Sequence, residues 1–174
     1  MDQIMIPKEL NNYTLKEHSF FQNTVSIQLP DFMKPMSAEE YQMRYGRALK
    51  NEVALLSEHG NAVFTFSRTG LAGSIMSISA FIEKERDIFS RIVPGYVELG
   101  VGTKNINKTS VGFIQYKSNA IDKDIINVFF AFAADEEIRY GLFAAPYEWQ
   151  EAWTIVFLTC IETLQLTKGN HQLK

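Results

Sequence analysis

The stretch DIINVFFAFAA, Asp124–Ala134, decides how this chain folds. Read with a period of two, it puts Ile126, Val128, Phe130 and Phe132 on one face. Ile125, Asn127, Phe129, Ala131 and Ala133 fall on the other. A strand apolar on both faces lies inside a sheet covered on both sides. Two more strand-like runs flank it, TSVGFIQYK (Thr109–Lys117) and EIRYGLFAA (Glu137–Ala145). Successive strands on short connections usually pair antiparallel. The last run passes through Pro146 into an amphipathic helix carrying Trp149, Trp153 and Phe157, which must cover the sheet. The expected fold class is α+β, a mostly antiparallel sheet sandwiched between helices.

Upstream, Thr14–Phe20 and Val25–Leu29 read as two short strands, the second alternating Val25, Ile27 and Leu29 with Ser26 and Gln28. Pro30 and Pro35 stop it. Ser37-Ala38-Glu39-Glu40 has the pattern of a capping box and predicts a short helix through about Arg44. A hairpin follows: Glu52–Ser57, a turn at His59-Gly60-Asn61, then Ala62–Arg68 with Ala62, Phe64 and Phe66 on one face. From Leu71 to Val93, Leu71, Ile75, Ile78, Ile82, Phe89 and Ile92 recur at helical spacing and predict a long helix, ended by Pro94-Gly95. Tyr96–Thr103 reads as one more strand. Residues 1–166 are expected to form one domain and 167–174 a loose polar tail.

The totals narrow the function classes. The 174 residues suit a single core, and 46% hydrophobic content with 13% aromatic suits an ordered one. Net charge is −3 with both signs scattered. That distribution lacks the basic stripe expected of a nucleic-acid binder. No apolar run approaches the roughly 20 residues of a spanning helix, so membrane insertion is not expected. The start has no basic segment followed by an apolar one, and the single cysteine, Cys160, has no internal partner. The default expectation is a cytoplasmic protein.

Few residues point to chemistry. His18, His59 and His171 are far apart, and no Cys/His spacing suggests a metal site. Gly70-Leu71-Ala72-Gly73-Ser74 is expected to open a helix but lacks the ending of a phosphate loop. Gly100-Val101-Gly102-Thr103 has no helix after it. Ser74, Ser77 and Ser79 sit on no nucleophile elbow. Cys160 is in phase with Trp153, Phe157 and Leu164 and reads as core filler. Asp122, Asp124, Asp135, Glu136 and Glu137 sit at hairpin ends, where turn chemistry accounts for them. No catalytic residue, cofactor or metal is expected.

The last helix, read as Tyr147–Leu166, carries one anomaly. Its core side takes Trp149, Trp153, Val156, Phe157, Cys160 and Leu164. Its outer side holds Glu148, Glu151 and Glu162, but also Ile155, Leu158 and Leu166. A helix apolar nearly all round is usually buried on more than one side. Either the N-terminal segment or the tail covers it, or a partner does.

The runs Tyr41-Gln42-Met43-Arg44-Tyr45-Gly46, Ala54-Leu55-Leu56 and Gly60-Asn61-Ala62-Val63-Phe64-Thr65-Phe66-Ser67 resemble the PsbP/DcrB-like family. Its bacterial members often show Lys-Tyr-Pro, a short strand and a "vnftfs" strand leading into a long helix. Pro146, Trp153 and Ile161-Glu162-Thr163-Leu164 resemble the family's closing helix, with Trp153 at its marker position. The similarity spans about Ser19 to Leu166. Arg44 and Gly46 stand where the family has Lys and Pro, so only Tyr45 is kept. The resemblance implies an antiparallel sheet between helices. It also implies binding rather than a reaction: relatives include a photosystem-associated subunit, a Ran-binding transport factor and adaptor chaperones for secreted toxins.

The leading expectation is thus a non-catalytic protein-binding module, adaptor- or chaperone-like, with an unidentified protein partner. Ile155, Leu158 and Leu166 are candidate contact residues, and Arg44 and Tyr45 a second group from the partial motif. One alternative is a small-ligand binder or enzyme with a pocket between the sheet and the long helix. Another is a subunit of a homo-oligomer, such as a homodimer, joined through the last helix.

Overall fold

Every strand pairing in the computed structural model, which describes residues 6–46, 52–57, 59, 61–73 and 75–167, is antiparallel. The chain runs α1 (Lys8–Asn11), β1 (Leu15–Phe20), β2 (Val25–Pro30), β3 (Met33–Pro35), α2 (Ala38–Tyr45), β4 (Glu52–Ser57) and β5 (Val63–Ala72). It continues with α3 (Ile78–Ile92), β6 (Val97–Ile106), β7 (Thr109–Asn119), β8 (Asp124–Ala134) and β9 (Glu137–Pro146). A 3-10 turn, Tyr147–Trp149, leads into α4 (Gln150–Ile161), and β10 (Gln165–Leu166) follows. Seven strands form the main sheet in the order β3-β4-β5-β9-β8-β7-β6, and β1-β2-β10 form a smaller one.

The two faces of β8 are buried against different layers. Ile126, Val128, Phe130 and Phe132 join a core completed by β2, β5, β9 and α4. Phe129 and Ala131 join a second core under α3, with Ile78, Phe81, Ile82, Ile114, Tyr116 and Ile138. The fold is α+β, as the strand pattern predicted. One outer layer, however, is α4 together with the small sheet rather than a helix alone. On that side the rings of Phe64 and Phe143 lie 4.6 Å apart, Phe143 and Phe157 4.8 Å, and Trp153 and Phe157 5.5 Å. Such pairs each add about 0.5–1.5 kcal/mol beyond the area they bury.

Local signals explain where elements stop and start. The Ser37 Oγ accepts the Glu40 N–H (3.1 Å), and the Glu40 carboxylate accepts the Ser37 N–H (3.0 Å), which closes the capping box of α2. Gly46 ends α2 in the left-handed region at φ 67°, where a side chain is disfavoured. The β8–β9 hairpin turns on Asp135 and Glu136, both left-handed at φ 50° and 61°.

Two helix boundaries differ from expectation. The long helix begins at Ile78, not Leu71, because β5 keeps pairing with β9 as far as Ala72 and Glu137. The Gly73 N–H then donates to the Glu136 carbonyl (2.6 Å), and Ser77 caps the helix by accepting the Ala80 N–H (3.1 Å). Gly70-Leu71-Ala72-Gly73 therefore opens no helix. Ile75 and Ile92 are 64% and 69% exposed, so neither belongs to the buried row.

The last helix ends at Ile161, short of the expected Leu166. Leu164 is buried in the turn that follows, held by Asn107 Nδ2 donating to its carbonyl (2.9 Å), and Leu166 pairs with Val25. Within α4, Trp153, Val156, Phe157 and Cys160 are buried as the wheel predicted, and Ile161 joins them. Gly60 of the expected hairpin turn, Ser74, His171 and the tail from 168 onward lie outside the described residues.

Candidate functional site

Among the described residues, the α3 side of the main sheet is only partly roofed. Helix α3 packs on β7 and the neighbouring β6 and β8. At the other end, Tyr41 of α2 covers Ala54 and Val63. Between the two helices run β9 and β5, whose residues on this face include Tyr140, Leu142 and Thr65, all half-buried. Here the surface dips into a groove of about 450 Å³ between α3 and the strands.

Aromatic side chains line most of the groove. Phe129 and Tyr140 stack at 5.3 Å, Phe89 meets Phe129 edge-on at 5.2 Å, and Phe81 lies over Phe129 at 6.5 Å. Tyr116 continues the cluster, 5.3 Å from Phe89. Burial, reinforced by neighbouring Tyr96, raises the pKa of its phenol, which is uncharged at neutral pH. Leu71 and Leu142 supply aliphatic walls.

The polar groups of the groove differ sharply in how they are satisfied. Thr69 Oγ1 donates to the Ile138 carbonyl (2.6 Å) and accepts the Leu71 N–H (3.0 Å). Arg68 at the rim donates through Nε and a terminal nitrogen to Glu137 Oε2 (2.9 and 2.7 Å), while Glu137 Oε1 accepts the Gly70 N–H (2.9 Å). Arg68 holds the Glu137 carboxyl below the usual range. Glu85 stands apart. It is half-buried, and among the described residues it has neither a hydrogen bond nor an ion pair. Burial pushes its carboxyl upward, only partly offset by Lys84.

The lining combines aromatic and aliphatic side chains with a few polar groups at the rim. Among the described residues, thiol and imidazole groups lie elsewhere: Cys160 is on the buried face of α4, where burial pushes its thiol up to about 12, and His18 sits on β1. Among the described residues no group of three or more His, Cys, Asp or Glu is placed to hold a metal ion. Among them also, no helix is long and apolar enough to cross a membrane.

The five contact residues read from the sequence fall in three places. Arg44 and Tyr45 close α2, on the same sheet face as the groove. Tyr45 is 40% exposed with its ring 4.6 Å from that of Tyr41, and Arg44 borders a shallow depression with Glu40, Met43 and Leu56. Ile155 and Leu158 lie on α4 across the sheet, 67% and 37% exposed. Leu166 is not on that helix at all; it lies half-buried in β10, packed against the main core.

The expected hairpin-end carboxylates are largely engaged: Asp124 with Lys117 (3.0 Å), Asp135 with Arg139 (3.1 Å) and Glu137 with Arg68. Sequence reading missed Glu85, Phe81, Tyr140 and Leu142. A signal for Glu85 existed. It occupies the core-facing row 81–85–89, an acid at an apolar position.

No family profile and no curated protein sequence matches the chain. Solved structures do. A Pseudomonas aeruginosa protein of unknown function superposes with a TM-score of 0.56 at 9% identity, over 88% of this chain and 98% of that one. The solution structure of cyanobacterial PsbP from Synechocystis sp. PCC 6803 gives 0.58 at 10% identity, over 88% and 93%. The type VI secretion immunity protein TplEi of Pseudomonas aeruginosa gives 0.50 at 9%, over 88% and 72%. Likeness at this identity speaks for the fold alone. With its antiparallel sheet, long α3 and closing Trp153 helix, this chain has the PsbP/DcrB-like fold.

Proposed function

We propose that this chain is a non-catalytic protein-binding module, adaptor- or chaperone-like, and that the groove between α3 and the β5–β9 strands is its binding surface. One observation carries the reading: a contiguous set of rings, Phe81, Phe89, Phe129 and Tyr140, lines an open groove on the sheet face. Phe89 and Tyr140 are half-buried over the buried Phe81 and Phe129, and aromatic rings beside polar rim groups are the usual make-up of an interface centre. Arg44 and Tyr45 lie on the same sheet face and would extend the contact.

The runner-up is a small-ligand site. What supports it is the groove's volume of about 450 Å³, on the scale of small-molecule sites; none of the hairpin-end carboxylates lines it. Charge reversal separates the surfaces. Leu142→Asp should abolish recovery of the partner from the native host, and Leu158→Asp should leave it unchanged. Recovery that survives Leu142→Asp but fails with Leu158→Asp would move the binding surface to α4. Binding of a metabolite by a chain that recovers no protein would favour the runner-up.

A further inference from the structure

We infer that the groove receives the cationic end of a lysine or arginine side chain from the protein partner, with Glu85 as its counter-charge. The inference rests on the groove being the protein-binding surface.

Three observations converge on it. First, Glu85 occupies the helical row that also carries Phe81 and Phe89, so it lines the groove rather than pointing to open solvent. Burial without a partner costs a carboxylate free energy, and a cation brought to it offsets that cost. Second, among the described residues no arginine beside the groove supplies the cation. Arg68 is held by Glu137 at 2.7 Å, and Arg86 by Glu98 at 2.5 Å. Third, much of the remaining lining is aromatic. The half-buried rings of Tyr140 and Phe89 line the groove beside the buried Phe129, and the negative face of an aromatic ring attracts ammonium and guanidinium groups. Those rings also cover the methylene stem of a long basic side chain, which an isolated metal ion would not use.

A matched pair of probes tests the charge separately from the fit. Butylguanidinium and N-butylurea have nearly the same shape and differ in charge. Each is titrated into the wild-type chain and into Glu85→Gln, following the ring resonances of Phe81, Phe89, Phe129 and Tyr140 by NMR. The expected result is millimolar binding of butylguanidinium, tighter than N-butylurea by at least about fivefold. In Glu85→Gln that preference should shrink to the part the rings supply, while N-butylurea binding persists. Equal affinity of the two probes for the wild type overturns the cation inference and leaves the groove reading standing. Silence of the ring resonances to both probes overturns the groove reading as well. The wild-type comparison decides the matter even if the variant folds poorly.

Discussion

The rings of Phe129 and Tyr140, from neighbouring strands β8 and β9, stack 5.3 Å apart with their planes 30° from parallel. They form part of the groove wall beside α3. Phe129 is buried and holds the sheet to α3, whereas Tyr140 is half-buried and reaches the groove surface. The pair thus joins a packing residue to a contact residue, and the two should respond differently to truncation.

Tyr140→Ala should cost about 1–2 kcal/mol, less than a fully buried ring, because Tyr140 is only partly buried. Phe129→Ala should cost about 3–5 kcal/mol, the range for a buried phenylalanine. Urea unfolding of both variants measures the difference. A loss for Tyr140→Ala as large as that for Phe129→Ala would mean that Tyr140 is core rather than groove.

Glu85 should trade stability for its place in the groove. Its carboxyl is raised by burial, so the native state holds that proton to higher pH than the unfolded chain does. The stability this group contributes is complete below the unfolded value and is lost as pH rises through the raised folded value. At pH 7 Glu85→Leu should therefore be as stable as the wild type or slightly more so. The advantage should shrink on acidification through that window. Chemical denaturation at several pH values checks the sign, with Arg68, Lys84, Tyr116 and Tyr140 unchanged as the surrounding groups.

Residues on α4 should divide by face. Trp153 is fully buried, and Trp153→Ala should cost about 3–5 kcal/mol or prevent folding. Ile155 is 67% exposed, and Ile155→Ala should stay within about 0.5 kcal/mol. Thermal melts of the two variants suffice. A large loss at Ile155 would show that another layer covers α4.

The Cys160 thiol should be inert in the native chain. It is buried, and its pKa is pushed up to about 12, so the reactive thiolate is scarce at neutral pH. A thiol reagent such as DTNB should label it only after denaturation. Prompt native labelling would mean that α4 opens easily from the sheet.

The middle of this fold was legible because burial wrote itself into β8. Both of its faces are apolar, and both are covered. Ser37 and Glu40 announced α2 equally well, since a capping box is a local device. The start of α3 was not legible. Leu71 and Ile75 fit the helical row, but tertiary pairing of β5 with β9 kept the chain extended to Ala72. Leu166 likewise matched the α4 wheel, yet the chain leaves the helix to pair with Val25. The groove lay between elements, so no single run revealed it. Its clearest mark, Glu85, sits within the mixed charge run Glu83-Lys84-Glu85-Arg86-Asp87, which does not set one acid apart.

The central claim is that partners bind in the groove and not on the outer face of α4. Photo-crosslinking in the native host tests it most directly, with benzoylphenylalanine placed at Leu142 in one variant and at Ile155 in another. The account predicts a discrete crosslinked protein from position 142 that disappears when Tyr140→Asp is added, and none from position 155. A crosslinked partner from position 155 alone would contradict it.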